Sequence, residues 1–148
     1  MLHVTSNINT PLSSDLILLL NQTPQNINVV QCEGQDDKGI YIFRIVFLNS
    51  FSLKTPEASY FLGKIVHDVN PDFLENGVYE ALISVYNTSE SQTIIYDIDF
   101  LGKTHTIEAL IIKMGNYLVS YSQDITSRLN KEHLLIAKNE LINDAHKL

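Results

Sequence analysis

The residue best suited to chemistry in this sequence is an arginine inside an apolar run. Arg44 is the one charged residue within residues 39–48, GIYIFRIVFL. Its planar guanidinium matches carboxylates well. It either reaches water from the rim of a covered face, or it pairs with a carboxylate of the chain or of a ligand. Because most such charges are structural, a structural role is favoured over binding of a ligand, whether at the rim or in a pair within the chain. Arg44 is still a candidate binding residue.

Three carboxylates on two neighbouring predicted strands are the partners that Arg44 could meet. Asp97, Asp99 and Glu108 could also bind a hard cation or carry out acid–base chemistry. They lack the asparagine and glycine-loop geometry of a fixed cage, so a solvated strand face is favoured. We predict a candidate binding role for them and no metal site.

Catalytic signatures are absent from the sequence. The five histidines have no metal-ligand spacing, and neither a phosphate-binding glycine loop nor a GxSxG, HExxH or EF-hand pattern occurs. We therefore predict no catalytic residue and no cofactor, and the sequence favours a non-enzymatic protein.

Charge narrows the range of partners. The 148 residues carry a net charge of −7, and only two of the ten basic residues are arginines. Nucleic-acid binding requires clustered Lys and Arg, so nucleic acid is excluded as a predicted partner. A partner with a basic or apolar surface fits better.

Cysteine usage and hydropathy bear on the compartment. Cys32 is the one cysteine, which suits a reducing environment. The apolar stretch at 16–20 is too short for a membrane span and lacks a preceding positive region. We expect a cytoplasmic protein with no signal peptide and no membrane span.

The pattern of elements predicts a single α+β domain over residues 1–148. Strands are predicted at 27–32, 39–48, 78–87, 93–101, 104–114 and 117–122, and helices at 55–69 and 127–146. Thr55 and Pro56 suit the start of the mid-chain helix. Residues 14–22 form a short helix or a strand. The expected fold is an antiparallel sheet of about six strands, packed by the mid-chain helix and the C-terminal helix.

Two tight turns predict which side chains share a face of this sheet. A two-residue loop at 102–103 would pair Asp97 with Glu108, and one at 115–116 would pair Met114 with Tyr117. This face is acidic at one end and apolar at the other. The candidate binding residues are Arg44, Asp97, Asp99, Glu108, Ile112, Met114, Tyr117 and Tyr121.

The predicted order of hairpin, helix, antiparallel strands and terminal helix resembles two known groups. One is the PsbP/DcrB-like α/β/α sandwich, which includes cytoplasmic chaperones for secreted effectors. The other is the type III secretion chaperones, which are helix–sheet–helix dimers. The resemblance covers about residues 27–146 and lies in element order. Because it is a likeness of element order without a shared motif, it carries over no functional residue.

Two functions remain open from the sequence. The favoured one is a non-enzymatic protein-binding module, such as a small acidic adaptor, a secretion chaperone or an immunity-type protein. The alternative is a small-molecule-binding domain or minor enzyme, with a pocket between the sheet and the 56–69 helix and Arg44 or His105 as its polar group. A homodimer formed through the terminal helix is also possible.

Overall fold

The computed structural model describes residues 12–146 and contains one antiparallel sheet with four helices. The strands are β1 (Asn26–Gln35), β2 (Tyr41–Leu48), β3 (Gln92–Phe100), β4 (Lys103–Met114) and β5 (Tyr117–Asp124). The helices are α1 (Ser14–Gln22), α2 (Val66–Val69), α3 (Val78–Thr88) and α4 (Thr126–His146), with short 3₁₀ turns at Ser52–Lys54 and Ala58–Phe61. The α+β class with an antiparallel sheet is thus confirmed, with five strands rather than six.

The strand order is β2-β1-β5-β4-β3, so β2 and β3 form the two edges. We call the face that packs against α2 and α3 the inner face, and the opposite one the outer face. The inner core joins Phe43 and Leu118 of the sheet to Leu82 and Val85 of α3. Strands β1 and β2 bury apolar side chains on both faces, whereas the outer face of β3 and β4 also carries carboxylates.

Helix α1 covers part of the outer face. The Ser13 hydroxyl caps it by accepting a hydrogen bond from the backbone nitrogen of Leu16 at 3.2 Å. Leu20 packs into an outer cluster with Ile27 and Val119. Residues 14–22 are therefore a helix, which the sequence left open.

Asn49 joins α1 to the sheet. Its side-chain oxygen accepts from the backbone nitrogens of Ile27 and Ser52, at 3.2 and 3.0 Å. Its side-chain nitrogen donates to the carbonyls of Leu20 and Gln25, both at 2.9 Å. Asn49 is fully buried, so its amide satisfies backbone groups that water cannot reach.

The strand predicted at 78–87 is wrong, because this segment is helix α3. Its buried residues Val78, Ala81, Leu82 and Val85 fall at i, i+3, i+4 and i+7, which is helical spacing. The β-branched and aromatic residues favoured a strand locally. Packing of the apolar stripe on the sheet outweighs that preference.

The helix predicted at 55–69 is also wrong, since the segment is broken into a 3₁₀ turn and the four-residue helix α2. Glu57 and Gly63 have φ of 66° and 83°, in the left-handed region that interrupts a right-handed helix. The apolar stripe that suggested a helix still points at the core, through Ala58 and Val66.

Helix α4 does not pack on the sheet, contrary to the prediction. Its side chains are exposed along nearly all of its length. Contact with the sheet is concentrated at its start, where Ile125 is buried and its backbone nitrogen donates to the carbonyl of Thr106 at 2.8 Å. Among residues 12–146, no helix combines the length and the apolar character needed to cross a membrane.

Candidate functional site

A cavity of about 180 Å³ lies between the inner face of the sheet and the segment that carries α2 and α3. Its wall is mostly apolar. The apolar lining residues are Val30, Ile45, Leu48, Phe61, Val66, Val69, Val78, Leu82, Ile94, Ile98, Ala109, Ile111 and Leu118. The position agrees with the predicted pocket beside residues 56–69, although that segment is not one helix. Concave, largely apolar cavities with a few polar groups are typical of small-molecule sites.

Four polar side chains interrupt this apolar wall: Asn28, Asn70, Tyr96 and Ser120. Asn70 is the most buried of them, at 5% exposure. Its side-chain oxygen accepts a hydrogen bond from the Asn76 amide at 3.2 Å. Its side-chain nitrogen donates to no group within residues 12–146. This nitrogen is not fully buried, since the one fully buried side-chain nitrogen or oxygen without a partner among the described residues is His67 Nδ1. It can therefore donate to a molecule that enters the cavity.

Tyr96 supplies the second unpaired polar group. Removal from water raises the pKa of Tyr96 to about 12, so the hydroxyl stays protonated at neutral pH. Within the described residues this hydroxyl has no hydrogen-bond partner. It can therefore donate to, or accept from, a molecule in the cavity.

Among residues 12–146, no charged side chain lines the cavity, and neither Arg44 nor His105 reaches it. His105 instead lies beside the start of α4, where its Nδ1 is 2.6 Å from an Asp124 carboxylate oxygen. The other Asp124 oxygen accepts from the backbone nitrogen and hydroxyl of Thr126, at 2.9 and 2.6 Å. His105 thus belongs to the junction between the sheet and α4.

Arg44 pairs with a carboxylate, but not with a predicted one. Its Nε donates to Glu33 Oε2 at 2.7 Å, and its Nη1 donates to the carbonyl of Gly63 at 2.8 Å. Since β2 and β3 are opposite edges of the sheet, about 19 Å separates them at a strand spacing of about 4.8 Å. Glu108 lies on β4, three strand spacings or about 14 Å from β2. Pairing of Arg44 with Asp97, Asp99 or Glu108 is therefore wrong. Through its hydrogen bond to Gly63, Arg44 holds the segment before α2 against the edge strand β2.

The predicted carboxylates form cross-strand hydrogen bonds on the outer face. Asp99 accepts from the Thr104 hydroxyl at 2.6 Å, and Asp97 from the Thr106 hydroxyl at 2.8 Å. Glu108 accepts from the side chain of the residue opposite it on β5, Gln123, at 2.9 Å. Within residues 12–146, no three His, Cys, Asp or Glu side chains are placed to hold a metal.

The predicted pairing of Asp97 with Glu108 is wrong by two positions, although both lie on one face. The hairpin loop is Leu101-Gly102, and both residues have positive φ, as a type I′ turn requires. A leucine rarely adopts this conformation, so the sequence pointed to the next pair along the chain. The turn at 115–116 is as predicted, with Met114 opposite Tyr117.

An apolar patch remains on the outer face beside these carboxylates. Ile95 is 58% exposed, and Leu110 and Ile112 are 36% exposed. We call these three residues the outer patch. Of the predicted apolar binding residues, Ile112 lies in the patch, whereas Met114, Tyr117 and Tyr121 pack into the cluster under α1.

The polar groups of the cavity were not predicted from the sequence. Neither Asn70 nor Tyr96 is among the predicted binding residues. A polar residue among apolar residues that face the core could have indicated these groups. Asn28 and Ser120 interrupt their strands in the same way. These two lie opposite each other in the β1–β5 register, which the sequence did not predict.

Comparison with known proteins gives structural likeness without a family. No protein-family model and no curated protein matches the chain. Among solved structures, it is similar to the PAS domain of a protein from Colwellia psychrerythraea, with a TM-score of 0.58, 15% identity, and coverage of 76% of this chain and 96% of that one. It is also similar to an RNA-binding light-oxygen-voltage receptor, with a TM-score of 0.57, 16% identity, and coverage of 95% of this chain and 43% of that one. A third similar structure is a sensory box histidine kinase/response regulator from Burkholderia thailandensis E264, with a TM-score of 0.52, 14% identity, and coverage of 88% and 99%.

These likenesses agree on the fold. The chain has a PAS-like fold, in which an antiparallel five-stranded sheet carries helices on its inner face. The resemblance to secretion chaperones depended on a strand at 78–87 and a helix at 55–69, neither of which forms.

Proposed function

We propose that this protein, given its PAS-like fold, is a sensory-type domain that binds a small molecule in the inner cavity. The observation that carries the proposal is the cavity of about 180 Å³, in which Asn70 and Tyr96 present unpaired polar groups in an apolar wall. A well-packed core would fill such a space, because protein interiors rarely leave voids larger than a water molecule. Two of the similar structures are named as sensory or receptor proteins, which supports the same function.

A library screen with a blocked variant tests this function. The wild type and Ala109→Ile are screened by thermal unfolding against neutral, anionic and cationic small molecules. Ala109 lines the cavity, so the isoleucine occupies ligand space. We expect hits that raise the Tm of the wild type but not of the variant, because a ligand stabilises the state that binds it. If every hit raises both proteins equally, ligand does not enter the cavity.

A second candidate function is docking of a protein partner on the outer patch. It is favoured by the exposure of Ile95, Leu110 and Ile112 next to Asp97 and Glu108. An apolar patch rimmed by polar groups is typical of interaction sites. A partner with an apolar centre and a basic rim would match it, in line with the net charge of −7.

Paired variants test the docking function. Ile112→Lys places a positive charge inside the patch, while Arg44→Ala alters a distant ion pair on another strand. Affinity capture should lose the partner with Ile112→Lys and keep it with Arg44→Ala. If capture is lost only with Arg44→Ala, the binding surface lies near β2 and the outer patch is not the site.

A further inference from the structure

The chemistry of the cavity wall restricts the ligand further than its shape alone. Within the described part of the chain, the seventeen lining residues are uncharged at neutral pH, four of them polar and thirteen apolar. Placing a net charge there would remove it from water without any opposite charge to pair with, which is strongly unfavourable. A carboxylate or an ammonium ligand is therefore a poor match.

The volume sets the size of the ligand. An apolar protein cavity of roughly 150 Å³ accommodates a benzene ring. At about 180 Å³, this cavity leaves room for one six-membered ring and a small substituent. A dinucleotide, a porphyrin or a flavin ring system is far larger than this space.

The unpaired polar groups of Asn70 and Tyr96 determine which substituent the ligand can carry. The Asn70 side-chain nitrogen is a free donor, and its oxygen is already bonded to Asn76. The Tyr96 hydroxyl can donate or accept, because it stays protonated at neutral pH. A neutral group that carries both a carbonyl and a donor, such as a primary amide, satisfies both side chains.

We infer that the cavity selects a neutral molecule of one ring with a single amide-like or hydroxyl substituent, held by hydrogen bonds to Asn70 and Tyr96. This inference rests on the proposed small-molecule function. It adds the charge, the size and the polar group of the ligand.

Three probes of the same shape and different charge test it: benzamide, benzoate and benzamidinium, with toluene as the apolar reference. Each is titrated into the intact protein at pH 7 while the methyl NMR signals of Ile111 and Leu118 are followed. Both residues line the cavity. Ile95 and Ile112 on the outer patch report binding elsewhere. We expect benzamide to bind at least tenfold more tightly than either charged probe, with shifts confined to the cavity methyls.

Two substitutions test the hydrogen bonds. Tyr96→Phe keeps the ring and removes the hydroxyl, so benzamide should lose affinity severalfold while toluene is unaffected. Asn70→Leu should act in the same way. If it unfolds the chain through loss of the Asn76 contact, Tyr96→Phe still decides the matter.

The outcomes separate the two proposals. Equal or tighter binding of benzoate or benzamidinium at the cavity methyls overturns the inferred ligand class and leaves the small-molecule function in place. Equal affinity of Tyr96→Phe for benzamide removes the assigned hydrogen bond. If no probe shifts the cavity methyls, the inferred ligand class is wrong, and the library screen with Ala109→Ile decides separately whether the small-molecule function is correct.

Discussion

A larger side chain at the cavity wall tests whether the cavity is empty. The free energy of unfolding should rise if the space is empty and fall if it is already filled. Ala109 is buried on β4 and lines the cavity. Ala109→Ile adds three carbons, and burial contributes about 0.8 kcal/mol for each, or about 2.4 kcal/mol together. Ordering the longer side chain costs about 0.5–1 kcal/mol. We therefore expect the free energy of unfolding to rise by about 1.5 kcal/mol, since a β-branched residue also suits a strand.

The measurement is denaturant unfolding without ligand. The midpoint should move upward with an unchanged m-value, and Tm should rise by roughly 3–6 °C for a chain of this size. Thr93→Ile, at an exposed position on the other face of β3, is the control and should stay within about 0.5 kcal/mol of the wild type. If the space around Ala109 is filled instead, overpacking lowers stability by about 1–3 kcal/mol. A fall of that size would refute the cavity.

Three further predictions concern other parts of the fold. Asn49→Ala leaves several buried backbone groups unpaired, at a cost of about 1–3 kcal/mol each. Denaturant unfolding should therefore show that the free energy of unfolding falls by at least about 3 kcal/mol. A fall of less than about 1 kcal/mol would contradict the role of Asn49 in joining α1 to the sheet. Partial burial alone would raise the pKa of Asp124, but hydrogen bonds from Thr126 and His105 hold this pKa below its usual value. The carboxylate therefore stabilises the fold at neutral pH, and this contribution is lost as the pH falls below about 4. Asp124→Asn should therefore be less stable than the wild type at pH 7, with the gap narrowing below pH 4; a constant gap would contradict it. Leu134 and Leu141 of α4 are 70% and 71% exposed, so we predict that α4 forms a homodimer interface. The sedimentation coefficient should then rise with protein concentration, and the double variant Leu134→Asn/Leu141→Asn should abolish this rise. A wild type that stays monomeric at high concentration would exclude the homodimer.

Local patterns in the sequence predicted the sheet well where a turn fixed the register. The 115–116 turn placed Met114 opposite Tyr117, because glycine and asparagine tolerate the required positive φ. The 101–102 turn escaped prediction because a leucine adopts that conformation. Turn chemistry predicts register only when the turn uses the usual residues.

The middle of the chain could not be predicted because tertiary packing decides it. Residues 78–88 have strand-like composition, yet their apolar stripe packs as helix α3 on the inner face. The stripe at 55–69 fits a helix, but Glu57 and Gly63 interrupt it. Because the helix and the strand were assigned to the wrong segments, the prediction placed the wrong segment over the sheet. The predicted wall of the pocket was wrong for the same reason.

The predicted site residues do not line the cavity, which lies instead beside the segment that the alternative hypothesis named. A pocket beside residues 56–69 was an open alternative, and the cavity lies there. Its polar groups were not predicted, because Asn70 and Tyr96 are separated by 26 positions and line one cavity only in the folded chain. Arg44 attracted attention through its charge, whereas in the structure it pairs with Glu33 on the neighbouring strand.

Intermolecular nuclear Overhauser effects between benzamide and the protein test the central claim most directly. The ring protons of bound benzamide should show contacts to the methyl groups of Ile111, Leu118 and Ala109 at the cavity wall, and none to Ile95 or Ile112 of the outer patch. Contacts to the outer patch alone would contradict the account, because the inner cavity would then be a void that no ligand enters.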